Sequence, residues 1–281
     1  MSRFRGSSGS RADFLIPLPF RRVRADGIPA PGAHGTATGT ASGHVAGRGS
    51  LPGEMADRWA TFDCYGTLID WELGIAQAMA EVWPDADEET LERLLERYHR
   101  VEPEIEQGSS APYRDVLRDS LARLAAEENL EVAIGMENAL GDALPTWPAF
   151  DEVPGVLRQL VERGWKLGIL SNTDPDLLAA SLEHVGVPVD VTITAQDAGS
   201  YKPEHGHWHR FFERSNADRD RHVHVAASVF HDISPCAEMG LKAVWVNRLS
   251  EVTNLPREAE LRDLRELPTV LEEIVPPEED S

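Results

Sequence analysis

The chain has 281 residues, with 27 Lys and Arg against 48 Asp and Glu, a formal charge of −21, and two cysteines, Cys64 and Cys236. So acidic a chain lacks the basic footprint that nucleic-acid phosphates require, two cysteines exclude a disulfide scaffold and a CxxC zinc site, and no apolar run reaches the roughly 18 residues needed to span a bilayer. The length suits one large α/β domain or a core with an insert.

Residues 1–54 carry seven Arg and three acids, a net +4 that leaves −25 for 55–281, and ten of the 22 glycines. From Gly27 to Gly53 there is almost no large apolar residue to offset chain entropy. Three readings stand for this extension: a disordered lead, a start codon placed too early with Met55 opening the domain, or an Arg-rich, acid-poor targeting peptide. Beyond it, the β-prone run Arg58–Asp63 (RWATFD) leads into Cys64, Tyr65 and Gly66. A helical pattern covers Trp71–Val82. A long helical block follows from Asp87 to about Asp142, with Leu91, Leu94 and Leu95, then Val116, Leu117, Leu121 and Leu124 at 3/4 spacing.

From Asp151 the pattern alternates. Helices are predicted over Glu152–Arg163, Pro175–Val185 and about Glu204–Ser215, with another starting at Ser234–Pro235. Strands are predicted over Lys166–Ser171, Val191–Ala195, His222–Ser228 and Lys242–Asn247. Such alternation predicts an α/β fold, a Rossmann-like doubly wound parallel sheet. The core is assigned to 55–82 and 151–281. An all-helical cap, 83–150, is inserted after the first strand and placed above the carboxyl ends of the strands, where open α/β sheets bind ligands. The acidic, amphipathic tail Leu261–Ile274 is expected to pack on the core.

Four polar clusters fall at the carboxyl ends of four predicted strands: Asp63 with Thr67, Ser171 with Asn172, Lys202, and Asp232. Each alone reads equally as a helix cap, a loop or an exposed lysine. Together, at matching strand ends, they converge on one crevice. In this order they resemble the motifs of the haloacid dehalogenase superfamily. Asp63-Cys-Tyr-Gly-Thr67 is similar to its hhhDxxGT motif, Ser171-Asn172 after KLGIL to its second, Lys202-Pro203 to its third, and Asp232 in VFHDISPCAEMGLKAVWVNR to its fourth. The resemblance covers about Asp57–Arg248.

Two positions separate branches of that superfamily. Its phosphatases carry Asp-x-Asp at the first motif, the second Asp protonating an alkoxide leaving group; here that position is Tyr65, a phenol of pKa near 10. Their fourth motif offers two acids four residues apart; here the first is Ser228, and Asp63 with Asp232 makes a poor Mg²⁺ cage. A halide leaving group needs neither acid nor metal. DCYGTLIDWE accordingly resembles the type II 2-haloacid dehalogenases.

That resemblance implies Asp63 as nucleophile in an SN2 step that forms an ester, Lys202 offsetting its charge, and Asp232 positioning or activating water. It implies Thr67, Tyr65, Ser171 and Asn172 around the substrate, with a cap arginine sought among Arg93, Arg97 and Arg100, of which Arg97 and Arg100 are assigned to the substrate. The sequence departs from the family at Ala227 and Val229, where Ser and Asn are common. It departs again at Trp208, which stands at the substrate position of an aromatic hydroxyl. His231 is assigned either to orienting water or to capping the next helix. The resulting expectation is a cytoplasmic, cofactor-free hydrolase of short 2-haloalkanoic acids. Its only implied partner is an anionic small molecule, with no nucleic acid and no membrane, and a homodimer is left open. The alternatives are a Mg²⁺-dependent phosphatase of a small metabolite and a weakly catalytic or non-catalytic scaffold. HxHxH at His205, His207 and His209 reads as a solvated helix start rather than zinc, Cys64 as a bystander, and Glu88–Arg100 as a charged outer face.

Overall fold

The computed structural model describes residues 56–109 and 111–278; the readings of 1–54 lie outside them. Six strands form one parallel sheet: β1 (Arg58–Phe62), β2 (Trp165–Ser171), β3 (Val191–Thr194), β4 (His222–Ala226), β5 (Ala243–Val246) and β6 (Ala259–Leu261), in the order β3-β2-β1-β4-β5-β6. The first five match the predicted strands. β6 falls between the last predicted strand and the amphipathic tail, where the sequence predicts no element, because three residues are too short to show a period of two.

Strand alternation divides the core into two layers. Ala60, Phe62, Leu167, Ile169, Val244 and Val246 face one side. There they meet α5 (Val153–Glu162), α6 (Pro175–Val185) and α10 (Leu267–Ile274). Trp59, Leu170, Ala243 and Trp245 face the other, against α8 (Gly206–Ser215) and α9 (Ser234–Met239). The short α7 (Ala195–Ala198) closes the turn after β3 with a Thr194–Asp197 capping box.

Between β1 and α5 lie α1 (Trp71–Val82), α2 (Glu88–Glu106), α3 (Tyr113–Glu128) and α4 (Ala139–Ala143). The 3/4 spacing read in the sequence becomes their shared core: Leu91, Leu94, Leu95, Leu117, Leu121 and Leu124 are all buried. At about 1.5–3 kcal/mol for each fully buried large apolar side chain, this stripe holds the insert together. Residue 82, the expected boundary of the core, is the last residue of α1, which lies against α2, α4 and the 3₁₀ turn Leu144–Thr146.

The insert sits over the carboxyl ends of β2 and β3. α3 has no capping side chain of its own. Instead Asp174, in the β2–α6 loop, accepts from Tyr113 N (2.9 Å) and Arg114 N (3.0 Å) and caps the helix from the core. Tyr201 Oη adds a bond to Ala111 O at 2.7 Å.

Candidate active site

Register places the chemistry. Phe62 pairs with Ile169 on β2 and Val225 on β4, so Asp63 leaves the sheet between those two strands, its N–H still donating to Val225 O at 3.1 Å. The chain then doubles back. Leu68 N and Ile69 N donate to Cys64 O (2.8 and 3.0 Å), and Gly66 stands at φ +86°, a conformation costly for other residues. This turn returns Thr67, whose Oγ1 donates to Asp63 Oδ2 at 2.8 Å and accepts from Ala227 N at 2.9 Å. Arg248 braces the turn from outside, donating to Thr67 O (2.9 Å) while pairing with Glu152 (2.8 Å).

Lys202 joins the two carboxylates. Its Nζ donates to Asp63 Oδ1 (2.8 Å), Asp232 Oδ1 (2.7 Å) and Leu170 O (3.0 Å), which uses all three ammonium protons. Burial works against the charged ammonium, but Asp232 and Asp63 outweigh it and raise its pKa. Burial likewise opposes the Asp232 carboxylate, yet Lys202 and a hydrogen bond from His224 hold it well below the usual range. At Asp63 the balance tips the other way. Burial exceeds the pull of Lys202, the charge of Asp232 adds to it, and the carboxyl titrates above its ordinary value.

The other predicted residues divide. Ser171 is buried, with its Oγ lacking a hydrogen-bond partner. Asn172 is spent on Lys202: Oδ1 accepts from Lys202 N (2.7 Å), while Nδ2 donates to Lys202 O (3.2 Å) and to Glu106 Oε1 (2.9 Å). Tyr65 turns its hydroxyl to Ser181 Oγ at 2.9 Å, and its ring stacks on Tyr113 and meets the edge of Trp147. Burial raises its phenol further, so it stays neutral.

Three of the expected substrate residues lie apart from this cluster. Trp208 is 0% exposed on the apolar stripe of α8, beneath the sheet, with its ring 5.4 Å from that of His224. Arg97 turns to α3 and pairs with Glu127 and Glu128, both at 3.3 Å. Arg100 is exposed. It precedes Glu106 by six residues, hence about 120° around α2 from the face that meets the core. The face α2 does present is acidic. Glu106 is buried against Asn172 and His231 (3.1 Å to Nε2). Glu102 accepts from Tyr113 Oη at 3.1 Å. His231 thus neither caps a helix with its ring nor stands free; its Nδ1 meets Ser228 Oγ at 3.1 Å. His207 is also corrected from a solvated position. It is fully buried, with Nε2 at 3.1 Å from Ser171 O. Among the described residues no group of three His, Cys, Asp or Glu is placed to hold a metal ion, and none of the helices is long and apolar enough to cross a membrane.

Glu102, Glu106 and His224 are the residues that sequence reading missed. Glu102 and Glu106 share a helix face with Tyr98, a spacing visible in the sequence but masked by the surrounding charge. His222 and His224 alternate with buried valines in HVHVA, a pattern that could have marked them as core groups needing partners.

Against known proteins, residues 58–240 match the family model described as haloacid dehalogenase-like hydrolase. The chain belongs to that family. This haloacid dehalogenase-like hydrolase is 27% identical over 205 residues to the (S)-2-haloacid dehalogenase of Pseudomonas sp. (strain YL), covering 68% of this chain and 83% of that one. It is 25% identical over 224 residues to (S)-2-haloacid dehalogenase 4A of Burkholderia cepacia, covering 78% and 94%. Its fold matches the L-2-haloacid dehalogenase of Xanthobacter autotrophicus with chloropropionic acid covalently bound. The TM-score there is 0.68 and the identity 19%, over 77% of this chain and 98% of that one.

Proposed function

We propose that this hydrolase cleaves the carbon–halogen bond of short 2-halocarboxylic acids through an ester on Asp63, without a metal ion. The observation that carries the reading is Lys202 Nζ spanning Asp63 and Asp232 at 2.8 and 2.7 Å, beside a neutral Tyr65 where an alkoxide leaving group would need an acid. The single positive charge of Lys202 between the two carboxylates neutralises half of their charge and weakens their pull on a divalent cation. Asp232 Oδ1 is also committed to His224, and Ser228 offers no anionic oxygen, so the donor set does not fit that cation. The curated relatives named above are haloacid dehalogenases, which supports the same substrate class.

In the first step an Asp63 carboxylate oxygen attacks the α-carbon from the side opposite the halogen. The new C–O bond forms as the C–X bond breaks, and the halide leaves with the electron pair. Lys202 and Thr67 hold the carboxylate in line, and the unpartnered Ser171 hydroxyl is a donor for the substrate carboxylate. Water then attacks the Asp63 ester carbonyl and gives its proton to Asp232. The tetrahedral intermediate collapses, Asp232 hands its proton to the departing oxygen of the 2-hydroxy acid, and the second water proton passes to solvent as Asp63 returns to carboxylate.

The test is halide release from (S)-2-chloropropanoate in EDTA. The expected result is turnover by the wild type, loss of at least about a thousandfold in Asp63→Asn, and one ¹⁸O atom in the Asp63 peptide after a single turnover in H₂¹⁸O. Mg²⁺-dependent phosphate release with no halide release would overturn it.

A further inference from the structure

A buried polar chain runs from Asp232 into the sheet and has no part in the steps above. His224 Nε2 lies 3.0 Å from Asp232 Oδ1, and its Nδ1 lies 2.8 Å from Thr61 Oγ1, which lies 2.7 Å from His222 Nε2. Thr61, His222 and His224 are each 0% exposed. They lie on adjacent strands β1 and β4 and point to the same face. Burying three polar side chains side by side is costly unless their bonds are satisfied.

The donor directions follow from counting protons. Asp232 is a carboxylate and can only accept, so His224 donates through Nε2. Thr61 has one hydroxyl proton for two imidazoles. If it donates to His224 Nδ1, it accepts from His222 Nε2, and the group left bare is the His222 Nδ1 lone pair, which is indeed without a partner. The reverse order would strand a buried N–H at His222 instead, the rarer fault. Burial also holds His222 neutral. Asp232 Oδ1 is therefore gripped by two donors, Lys202 and His224, while Oδ2 is buried with no partner.

We propose that His224, its ring fixed by Thr61 and His222, is a positioning residue for the hydrolytic half-reaction, clamping Asp232 by Oδ1 so that Oδ2 is the oxygen that takes the proton of the attacking water. Nucleophilic attack by Asp63 does not use that oxygen, so ester formation and ester hydrolysis separate.

This inference rests on the ester reading, and the experiment keeps the two apart. In rapid-quench assays with (S)-2-chloropropanoate, His224→Leu keeps a halide burst within about threefold of the wild-type rate. Its steady-state kcat falls roughly 10- to 100-fold, with KM falling in parallel, and the ester accumulates as a covalent mass on the Asp63 peptide. His224→Gln, which retains a donor near the Nε2 position, recovers most of the loss. Thr61→Val, which leaves Asp232 its direct contacts, shifts kcat in the same direction by less and covers the case in which His224→Leu does not fold. Equal loss of burst and steady state, or no ester accumulation in a folded variant, overturns the inference while leaving the ester reading intact; a wild type that releases no halide overturns both. Independently of any substrate, ¹⁵N NMR of the imidazoles should show His224 protonated at Nε2. A bare Nε2 on His224 would overturn the proposal outright.

Discussion

Glu102 is a carboxyl group on the core-facing side of α2 with Glu106 one turn away and no cation directly bonded. Burial, then the charge of Glu106, pushes its pKa up to about 8, against smaller opposing effects of His231 and Tyr113. A carboxyl that titrates higher in the folded chain than in the unfolded one binds its proton on folding. Its contribution is fully present below the unfolded value, near 4.5, and is lost as pH rises through about 8. Glu102→Gln should therefore flatten the decline in melting temperature between pH 5 and 8. It should be more stable than wild type at pH 8 and close to it at pH 5, and parallel melting curves for the two proteins would refute this. Nothing in the sequence marks Glu102 in this way. Asp63, Thr67, Lys202 and Asp232 were legible because each follows a strand, and strand ends in a parallel sheet converge whatever the intervening chain does. Glu102, Glu106 and His231 meet only because the insert folds back over β2, a long-range fact no local pattern encodes. For the same reason the pairing of Arg97 with Glu127 and Glu128 was not legible: composition showed charge on α2 but not which face turned inward.

At the level of elements, α1 shows how tightly the insert is fitted. Gly74 lies on its buried face, and a Cβ added there would run into the indole of Trp147. Trp147 is itself 2% exposed and forms part of the aromatic wall with Tyr65, so it has little room to retreat. Alanine ordinarily favours a helix over glycine by about 1 kcal/mol. Here overpacking should reverse that sign, and Gly74→Ala should destabilise the protein by about 1–3 kcal/mol. A Gly74→Ala, Trp147→Phe double variant should recover part of the loss. Urea unfolding midpoints check this, and a single variant as stable as wild type would show that the wall can shift. The sequence made α1 visible as a helix over Trp71–Val82 but not its close fit to Trp147, which comes from a residue more than seventy positions later. The five longer strands and helices α5, α6, α8 and the start of α9 were legible from the alternation of patterns, whereas the four-residue α7 was not. β6 was not, because its three residues are ordered by pairing with β5 rather than by any pattern of their own.

At the scale of the whole molecule, charge and substrate oppose each other. The formal charge is −21, and residues 55–281 carry −25 of it against +4 in the first 54. The proposed substrate is an anion, and the insert adds Glu102 and Glu106 at the boundary it must approach. The cations beside the nucleophile do little to draw it from a distance, since Lys202 is paired with two carboxylates and His231 with Glu106. The long-range field should therefore repel the substrate, and that field is screened over about 10 Å at 0.1 M ionic strength. Raising sodium sulfate so that ionic strength goes from about 0.01 to 0.2 M should increase kcat/KM for (S)-2-chloropropanoate by roughly two- to tenfold. The effect should appear in KM, because once the substrate is enclosed the charges acting on it are local and buried, and kcat should stay constant. A neutral substrate of the same size, 2-chloropropanamide, should show no such rise. Sulfate avoids confusion with inhibition by the product halide. If kcat/KM instead falls with salt, the field at the mouth is positive, and the recognising cation must come from a group that neither α2 nor the strand ends provide.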